Sequence, residues 1–485
     1  MEKHSKAEPL HILFFPFFAP GHMIPMVDLA KLFSSHGVKS TILTTHANAP
    51  LIQPTIDHFN SNSTHHHLLP IALLLVPFPS AEVGLSPGVE NSVSITTPEM
   101  RTKMLQAISL FRQPFDQILR EQLIDAVITD NLFVWSSDAA AEFCVPRLVF
   151  SGSGVFNHCV GDSLLRYDPM SALQTEDETV VIPGLPHKIE MLRTQMPDPK
   201  KRPEFWKFAL DMREAAEKSF GDVVNSFYDL ESHYVEHYRN FIGRRAWLVG
   251  PLSLYNRDVA DNSRRGNRVS IDWDECLNWL DSKQPGSVLY VCFGTISHIS
   301  NIQLREIAIG LDASGKDFIW VVRDTEGGLD WLPEGLEEKR GLIIRGWAPQ
   351  ILILNHSAVG AFLTHCGWNS CTEGVSAGVP LITWPLFADQ FYNEKVVVEI
   401  EKVGVSIGAK EFGFFPDTKS LIMADVIEKA VERVMGEGEE AAGVRKRARE
   451  LGEKAKRAVE EGGSSRADLK QLIEELSARR NAKSK

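Results

Sequence analysis

Two groups of residues in this sequence have types and spacings that could do chemistry. The first lies between Trp347 and Gln390. An apolar run, Val359–Leu363, reads as a strand that ends in Thr364-His365-Cys366-Gly367, and a helix is expected from Asn369. In a parallel sheet such a strand-to-helix turn lies at the carboxyl edge, where ligands bind. The free N–H groups and dipole of that helix start can hold a phosphate without arginine or lysine. Asn369 and Ser370 add neutral donors there, and His365 adds a titratable one. Glu373, one turn further on, can accept hydrogen bonds from ribose hydroxyls, and Trp347 can stack on a base. Asp389-Gln390 follows the strand Leu381–Trp384 and pairs an acceptor with an amide, which suits several sugar hydroxyls.

The second group is His22 with Asp130. His22 is expected in a loop after the strand His11–Phe18, and Asp130 at the end of the strand Asp125–Thr129. Both positions are carboxyl edges, so the two side chains can meet. A carboxylate that accepts one imidazole N–H fixes the tautomer while the other ring nitrogen removes a proton. Singly, each of these residues has a plain structural explanation. Asn369 and Ser370 are ordinary helix caps, Trp347 suits a core, and His22 suits a helix start.

Three other patterns are discarded on context. Gly374-Val375-Ser376-Ala377-Gly378 fits the G-x-S-x-G string of serine hydrolases, but that elbow needs a strand before it and a helix after it. Here the order is reversed. Asp272-Trp273-Asp274 resembles a D-x-D metal site but stands just before the helix Glu275–Leu280, as a cap with acidic first-turn residues. His65-His66-His67 follows Asn60–Thr64 in what reads as a polar, solvated loop with no nearby ligand partners.

The elements that position these groups alternate in type. Ile24–His36 reads as a helix closed by Gly37, Val38–Leu43 and Ile71–Val76 as strands, and Thr97–Gln122 as one long helix. Ser136–Phe143 reads as a helix and Arg147–Phe150 as a strand. The alternation restarts with strand Ser287–Phe293, helix Ile302–Ala313, strands Phe318–Val322 and Leu342–Arg345, and a last helix from Phe391. Apolar strands separated by helices indicate parallel α/β sheets. Between the two series, Asn256–Val269 has four arginines and almost nothing apolar, a linker composition. The expected organisation is two Rossmann-like domains facing across a cleft: residues 1–250, a linker at 251–270, residues 271–460, and a C-terminal helix at 461–485. The charged tail Glu439–Lys485 reads as helical, solvated or docking.

Composition narrows the function classes. The chain has 485 residues, is 44% hydrophobic and 24% charged, and so is neither disordered nor fibrous. Its net charge of −12 disfavours a general basic face for nucleic acid or anionic membrane, so an anion site must be built locally. Six cysteines without a CxxC pair are expected to be reduced, buried thiols of a cytosolic protein. No apolar run is long enough for a membrane span. Lys3 and Lys6 before Leu10–Ala19 mimic a signal peptide, but Pro16, Pro20 and the absence of an A-x-A site favour a buried first strand. The triplets Asn62-Ser63-Thr64 and Asn355-His356-Ser357 are accordingly expected to be unglycosylated.

The block WAPQILILNHSAVGAFLTHCGWNSCTEGVSAGVPLITWPLFADQ, Trp347 to Gln390, resembles the signature of plant secondary-product UDP-glycosyltransferases, glycosyltransferase family 1. The likeness extends to SVLYVCFGT at Ser287–Thr295 and PGHMIP at Pro20–Pro25. It implies a GT-B fold and an inverting, UDP-sugar-dependent O-glycosyltransferase that uses no metal. It implies roles too: Trp347 stacks on uracil, Ala348 contacts the base through its backbone, and Gln350 and Glu373 bind ribose. Thr295, His365, Gly367, Asn369 and Ser370 fall on diphosphate-binding positions, and Trp368, Asp389 and Gln390 on sugar-contacting ones. Gln390 at the end of the block resembles enzymes that prefer UDP-glucose. His22 and Asp130 match the family's catalytic pair. Cys371-Thr372 departs from the commoner pair there, on the expected helix interior. The implied acceptor is a small lipophilic plant metabolite such as a flavonoid, triterpenoid or steroid, bound by loops including Phe78–Val93 and Met191–Trp206 in the first domain of an expected monomer. The competing readings are a serine hydrolase using Ser376 and a non-catalytic nucleotide-sugar-binding protein.

Overall fold

The computed structural model describes residues 8–483 apart from 67, 257–258, 264, 268, 324–329, 334, 337–339 and 415–418. Lys3 and Lys6, His67, and Arg257, Arg264 and Arg268 of the expected linker lie outside the described residues.

The strands are β1 His11–Phe15, β2 Lys39–Thr45, β3 Ala72–Val76, β4 Ala126–Asp130, β5 Arg147–Phe150, β6 Thr179–Ile182, β7 Ile189–Leu192, β8 Gly221–Val224 and β9 Ala246–Leu248. They continue with β10 Val288–Cys292, β11 Asp317–Val322, β12 Gly341–Arg345, β13 Val359–Thr364, β14 Leu381–Thr383 and β15 Gly404–Ser406. Seven form one parallel sheet in the order β3-β2-β1-β4-β5-β8-β9, and six form a second in the order β12-β11-β10-β13-β14-β15. A small antiparallel pair, β6-β7, stands apart. Both large sheets are of the expected parallel α/β kind.

Alternation along the strands explains how the first sheet is covered on both faces. Ile12 and Phe14 enter one apolar cluster with residues of the helix Pro20–Ser35, while Leu13 and Phe15 enter another with Met104, Phe111 and Phe115. The strand order reverses between β1 and β4 in the first sheet and between β10 and β13 in the second. Ligands of open α/β sheets bind at such switch points, outside the carboxyl ends of the strands.

Several expectations are corrected. β1 stops at Phe15 rather than Phe18, because Pro16 has no N–H for a ladder. The following helix begins at Pro20 rather than Ile24, since proline is tolerated in a first turn. His22 therefore sits in a helical first turn and not in a loop. The span Thr97–Gln122 is two helices, Pro98–Leu110 and Arg112–Glu121. Pro114 can give no hydrogen bond to Leu110 and breaks the run there. Asn60–His66 is not loop but the end of the helix Ala49–His66, whose buried Leu51, Ile52 and Ile56 make the stripe that carries it. The tail is two helices, Glu439–Val459 and Ser464–Lys483, separated near Gly462-Gly463. Leu469, Leu472 and Leu476 of the second join the cluster on the first sheet.

The Asn256–Val269 segment departs furthest from expectation. It contains a short helix, Val259–Ser263, and its Arg265 side chain is only 12% exposed. A polar composition is ambiguous here, because charged residues can be buried where carboxylates from elsewhere pair with them.

Candidate active site

His22 stands after β1 and Asp130 is the last residue of β4, on either side of the first sheet's switch point. His22 Nδ1 lies 2.7 Å from Asp130 Oδ2. Asp130 is fully buried, whereas the His22 side chain is 27% exposed. Burial pushes the imidazole pKa down, but the Asp130 charge and hydrogen bond, with a contribution from Asp389, outweigh this and raise it above 6.5. The Asp130 contact leaves Nε2 as the nitrogen for proton transfer. Beneath the pair, the buried Arg147 donates to Thr129 Oγ1 at 2.8 Å and to the Asp130 backbone oxygen at 3.3 Å, holding the end of β4. The Phe17 ring stands edge-on to His22 at 5.3 Å, beside the stacked pair Phe15–Phe133.

Across the cleft, β13 ends at Thr364 and the helix Trp368–Ala377 begins with Gly367 as its cap residue. No side chain caps this helix, so Asn369 and Ser370 are not the cap residues their types allow. Its first N–H groups remain available for an anion. His365 is packed between Gly294 and Gly367, where any added Cβ would collide with its ring. Burial pushes the His365 imidazole down to about 4, against a smaller opposing effect of the Cys292 backbone. It is thus a neutral ring at pH 7 and not a cation, and its Nδ1 has no partner among the described residues. Thr295 follows Gly294 in the loop after β10, half-buried.

Gln350 donates to Glu373 at 2.7 Å and to Ser370 at 3.2 Å, so the two expected ribose ligands are already side by side. Glu373 also accepts from Arg265 at 2.7 Å, and the same guanidinium reaches Asp28 of helix Pro20–Ser35 at 2.8 Å. Next in sequence, Gly266 (φ +93°) lies so close to the Trp347 ring that a Cβ there would overlap it. Arg265 and Gly266 therefore meet the residues expected to bind ribose and base. A cavity of about 770 Å³ lined by Pro20, Asn48, Leu51, Asn91, Gly266 and Trp273 adjoins this point. Ala348 is buried beside Trp347.

Asp389 accepts from Asn393 at 3.0 Å and lies 3.4 Å from Asn157. Burial pushes its carboxyl up to about 6. The Gln390 oxygen is committed to the Leu386 and Phe387 N–H groups, leaving its amide nitrogen for any ligand. The Trp368 indole is buried and donates to the Asn225 carbonyl at 2.8 Å, so only its backbone N–H belongs to the open helix start.

Two halves of the chain meet through such contacts. Pro25 cannot donate to the Gly21 carbonyl one turn earlier, and Asn369 Nδ2 donates to that oxygen instead at 2.7 Å. Gly154 abuts Trp368 so closely that a Cβ would overlap it. Sequence reasoning missed Asn157, Asn225, Asn393, Asp28 and Arg265. Only the polar Ser151–Gly154 turn before Asn157 could have pointed to one of them.

The G-x-S-x-G and D-x-D patterns stand as read. Ser376 lies inside the helix Trp368–Ala377, is buried, and donates to the Thr372 carbonyl. Asp272 caps the helix Trp273–Asp281 and accepts from Asp274 N at 3.0 Å. The six cysteines are free thiols, five wholly or partly buried, with Cys144 exposed. Among the described residues no helix is long and apolar enough to cross a membrane.

Comparison with known proteins agrees with this geometry. Residues 269–425 match the family described as UDP-glucoronosyl and UDP-glucosyl transferase. The chain is 48% identical to UDP-glucose flavonoid 3-O-glucosyltransferase 7 of Fragaria ananassa, with 98% of each chain covered. It is 46% identical to scopoletin glucosyltransferase of Nicotiana tabacum, covering 96% of this chain and 98% of the relative. The crystal structure of Glycyrrhiza uralensis UGT73P12 complexed with glycyrrhetinic acid 3-O-monoglucuronide superposes with a TM-score of 0.91 at 41% identity, covering 98% of this chain and 97% of that one. Near-complete coverage at such identity extends the likeness through both sheets and the turns that carry the two residue groups. On that ground the chain belongs to the plant branch of the UDP-glycosyltransferases, enzymes of GT-B architecture.

Proposed function

We propose that this enzyme transfers glucose from UDP-glucose to a hydroxyl of a small lipophilic plant metabolite, with inversion at the anomeric carbon. The observation that carries the proposal is the His22–Asp130 contact of 2.7 Å at one switch point, with an uncapped helix start at the other. His22 Nε2 takes the acceptor hydroxyl proton. The hydroxyl oxygen bonds to the anomeric carbon from one face while UDP leaves from the other with the bonding pair. Asp130 stabilises the imidazolium, and the helix start with His365, Thr295, Asn369 and Ser370 takes up the charge developing on the diphosphate. The scheme requires no metal. In this reading residues 1–250 form the acceptor side and 271–460 the donor side, joined by 251–270, and the protein works as a cytosolic monomer. The names of the relatives, which act on a flavonoid and on scopoletin, support a phenolic acceptor.

Incubation with UDP-glucose and a panel of phenolic and triterpenoid acceptors tests this. The expected product, read by mass spectrometry and NMR, is a β-glucoside. Release of UDP without any glucoside would overturn transferase function.

Arg265 bears on donor entry. In this reading Arg265 competes with ribose for Glu373, and Gly266 gives way beside Trp347 as uracil binds. Arg265→Met removes the competitor for Glu373 and is expected to tighten UDP binding by about tenfold in calorimetry. It should also lower the melting temperature, because Asp28 and Glu373 lose their shared cation. Weaker UDP binding would show that Arg265 is itself a nucleotide ligand.

A further inference from the structure

Asn157 is the third residue of the helix Val155–Tyr167, in the half of the chain that carries His22. Its side chain crosses to the other half. The amide nitrogen donates to Asn393 Oδ1 at 2.7 Å and lies 3.4 Å from Asp389 Oδ2. Asn393 Nδ2 in turn donates to the Cys366 carbonyl at 2.8 Å and to Asp389 Oδ2 at 3.0 Å. Asn393 is thus held from both sides, and Asp389 is held by two amides.

The other end of the Asn157 amide is unsatisfied. Its Oδ1 is buried without a hydrogen-bond partner among the described residues, in a residue only 9% exposed. A buried acceptor left unpaired is costly and rare, and such groups mark places where a missing donor belongs. The neighbouring Asp389 says what kind of donor. Asp389 feels the charge of His22, so this amide stands next to the point where base and donor residues converge. Two acceptors meet at this amide, the Asp389 carboxylate beside its nitrogen and its own Oδ1, and they call for neutral O–H donors rather than for an anion. A hexose presents several hydroxyls and a diphosphate presents none.

Building on Asp389 as a sugar contact, we infer that Asn157 is a specificity-determining residue for the transferred sugar: its Oδ1 accepts a hexose hydroxyl while its Nδ2 holds Asn393 and Asp389 in place. Because Asn157 belongs to the half opposite Asp389, recognition of the sugar also depends on the two halves being closed together. The diphosphate and uridine, bound around Glu373 and His365, do not depend on it.

The test compares the affinity of full-length enzyme for UDP-glucose with its affinity for UDP, by calorimetry, so that no turnover is needed. Asn157→Leu keeps the branched shape and the number of heavy atoms and removes both polar ends, and Asn157→Ser is a smaller second variant in case the first fails to fold. In both, binding of UDP-glucose is expected to weaken by about tenfold relative to UDP, the equivalent of one lost hydrogen bond to a buried group. UDP binding itself should stay near wild type. With a reactive acceptor, the preference for UDP-glucose over UDP-galactose or UDP-xylose should narrow. Equal weakening of UDP and UDP-glucose would overturn the inference, since Asn157 would then act only through closure. So would unchanged sugar discrimination accompanied by a lower melting temperature, the signature of a purely structural amide. Failure of the wild type to bind either nucleotide would instead sink the donor site on which the inference is built.

Discussion

Replacing His22 with alanine is expected to lower kcat by about 10²–10⁴, the usual contribution of a positioned general base. An acceptor hydroxyl is a poor nucleophile at neutral pH, and among the described residues His22 is the titratable side chain bonded to the Asp130 carboxylate at the end of β4. Asp389, whose charge acts on His22, is the alternative base. Its carboxyl, pushed up to about 6 by burial, is held by Asn393 and Asn157 and is committed in this reading to the sugar. UDP affinity, measured by calorimetry, should change little, because the His22 side chain makes none of the contacts around Glu373. The Gly21 carbonyl that receives Asn369 is backbone and survives the substitution. Turnover within a few-fold of wild type would remove His22 from the mechanism.

Asp130→Asn is expected to have the second-largest effect, through geometry and charge together. Asparagine is nearly isosteric, but its NH₂ can donate to Nδ1 and so favour the tautomer whose Nε2 carries a proton and cannot act as base. A loss of up to about 10⁴ in kcat follows when a buried carboxylate that orients a catalytic histidine is changed in this way in a serine protease. The pH profile separates this from misfolding. In the native enzyme the His22 pKa lies above 6.5 because Asp130, helped by Asp389, outweighs the cost of burial. The active base is the neutral form, so kcat/KM should fall as the pH drops through that raised value. Without the Asp130 charge, desolvation prevails and the imidazole pKa falls. The acid limb of the variant should therefore move to lower pH even as the plateau collapses. An acid limb at the same pH as wild type would show that the titration belongs to another group. A parallel collapse of UDP binding would make Asp130 structural.

Both variants depend on a contact between residues 108 positions apart, and this is where legibility in the sequence divides. The carboxyl-edge character of both positions was readable from local patterns. Apolar runs ending in His365-Cys366-Gly367 or Asp130 announce strand ends, and the order of polar residues after Gly367 announces a helix start. Less was readable where two local forces competed. The helix of His22 was expected to begin at Ile24, because Pro20, Gly21 and Pro25 look like loop residues when taken one by one. In the fold, Pro20 opens the helix, and Pro25 frees the Gly21 carbonyl that Asn369 uses. The break at Pro114 was missed for the opposite reason, an apolar periodicity strong enough to hide one proline.

Charge shows the same division. A chain of net charge −12 with a helix start lined by neutral groups could be foreseen to bind an anion without a basic patch. The structure adds that His365 is neutral and that Arg265, a cation paired with Glu373, is shared with Asp28. Neither fact is local. A pKa depends on what buries the group, and an arginine in a polar run reads as solvated until its carboxylates arrive from elsewhere.

By itself, then, the sequence determined the strand and helix alternation, the two carboxyl-edge turns and the family, because each rests on neighbours within a turn or a strand. The tertiary structure alone decided which edges face each other: β1 beside β4, Asn369 on Gly21, Arg265 between Asp28 and Glu373, and Asn157 against Asn393. Lateral strand order and the closure of two halves are set by the packing of whole faces, and hydrogen bonds across that closure join residues hundreds of positions apart. No period or spacing along the chain records such pairs, so they become visible only when the chain is folded.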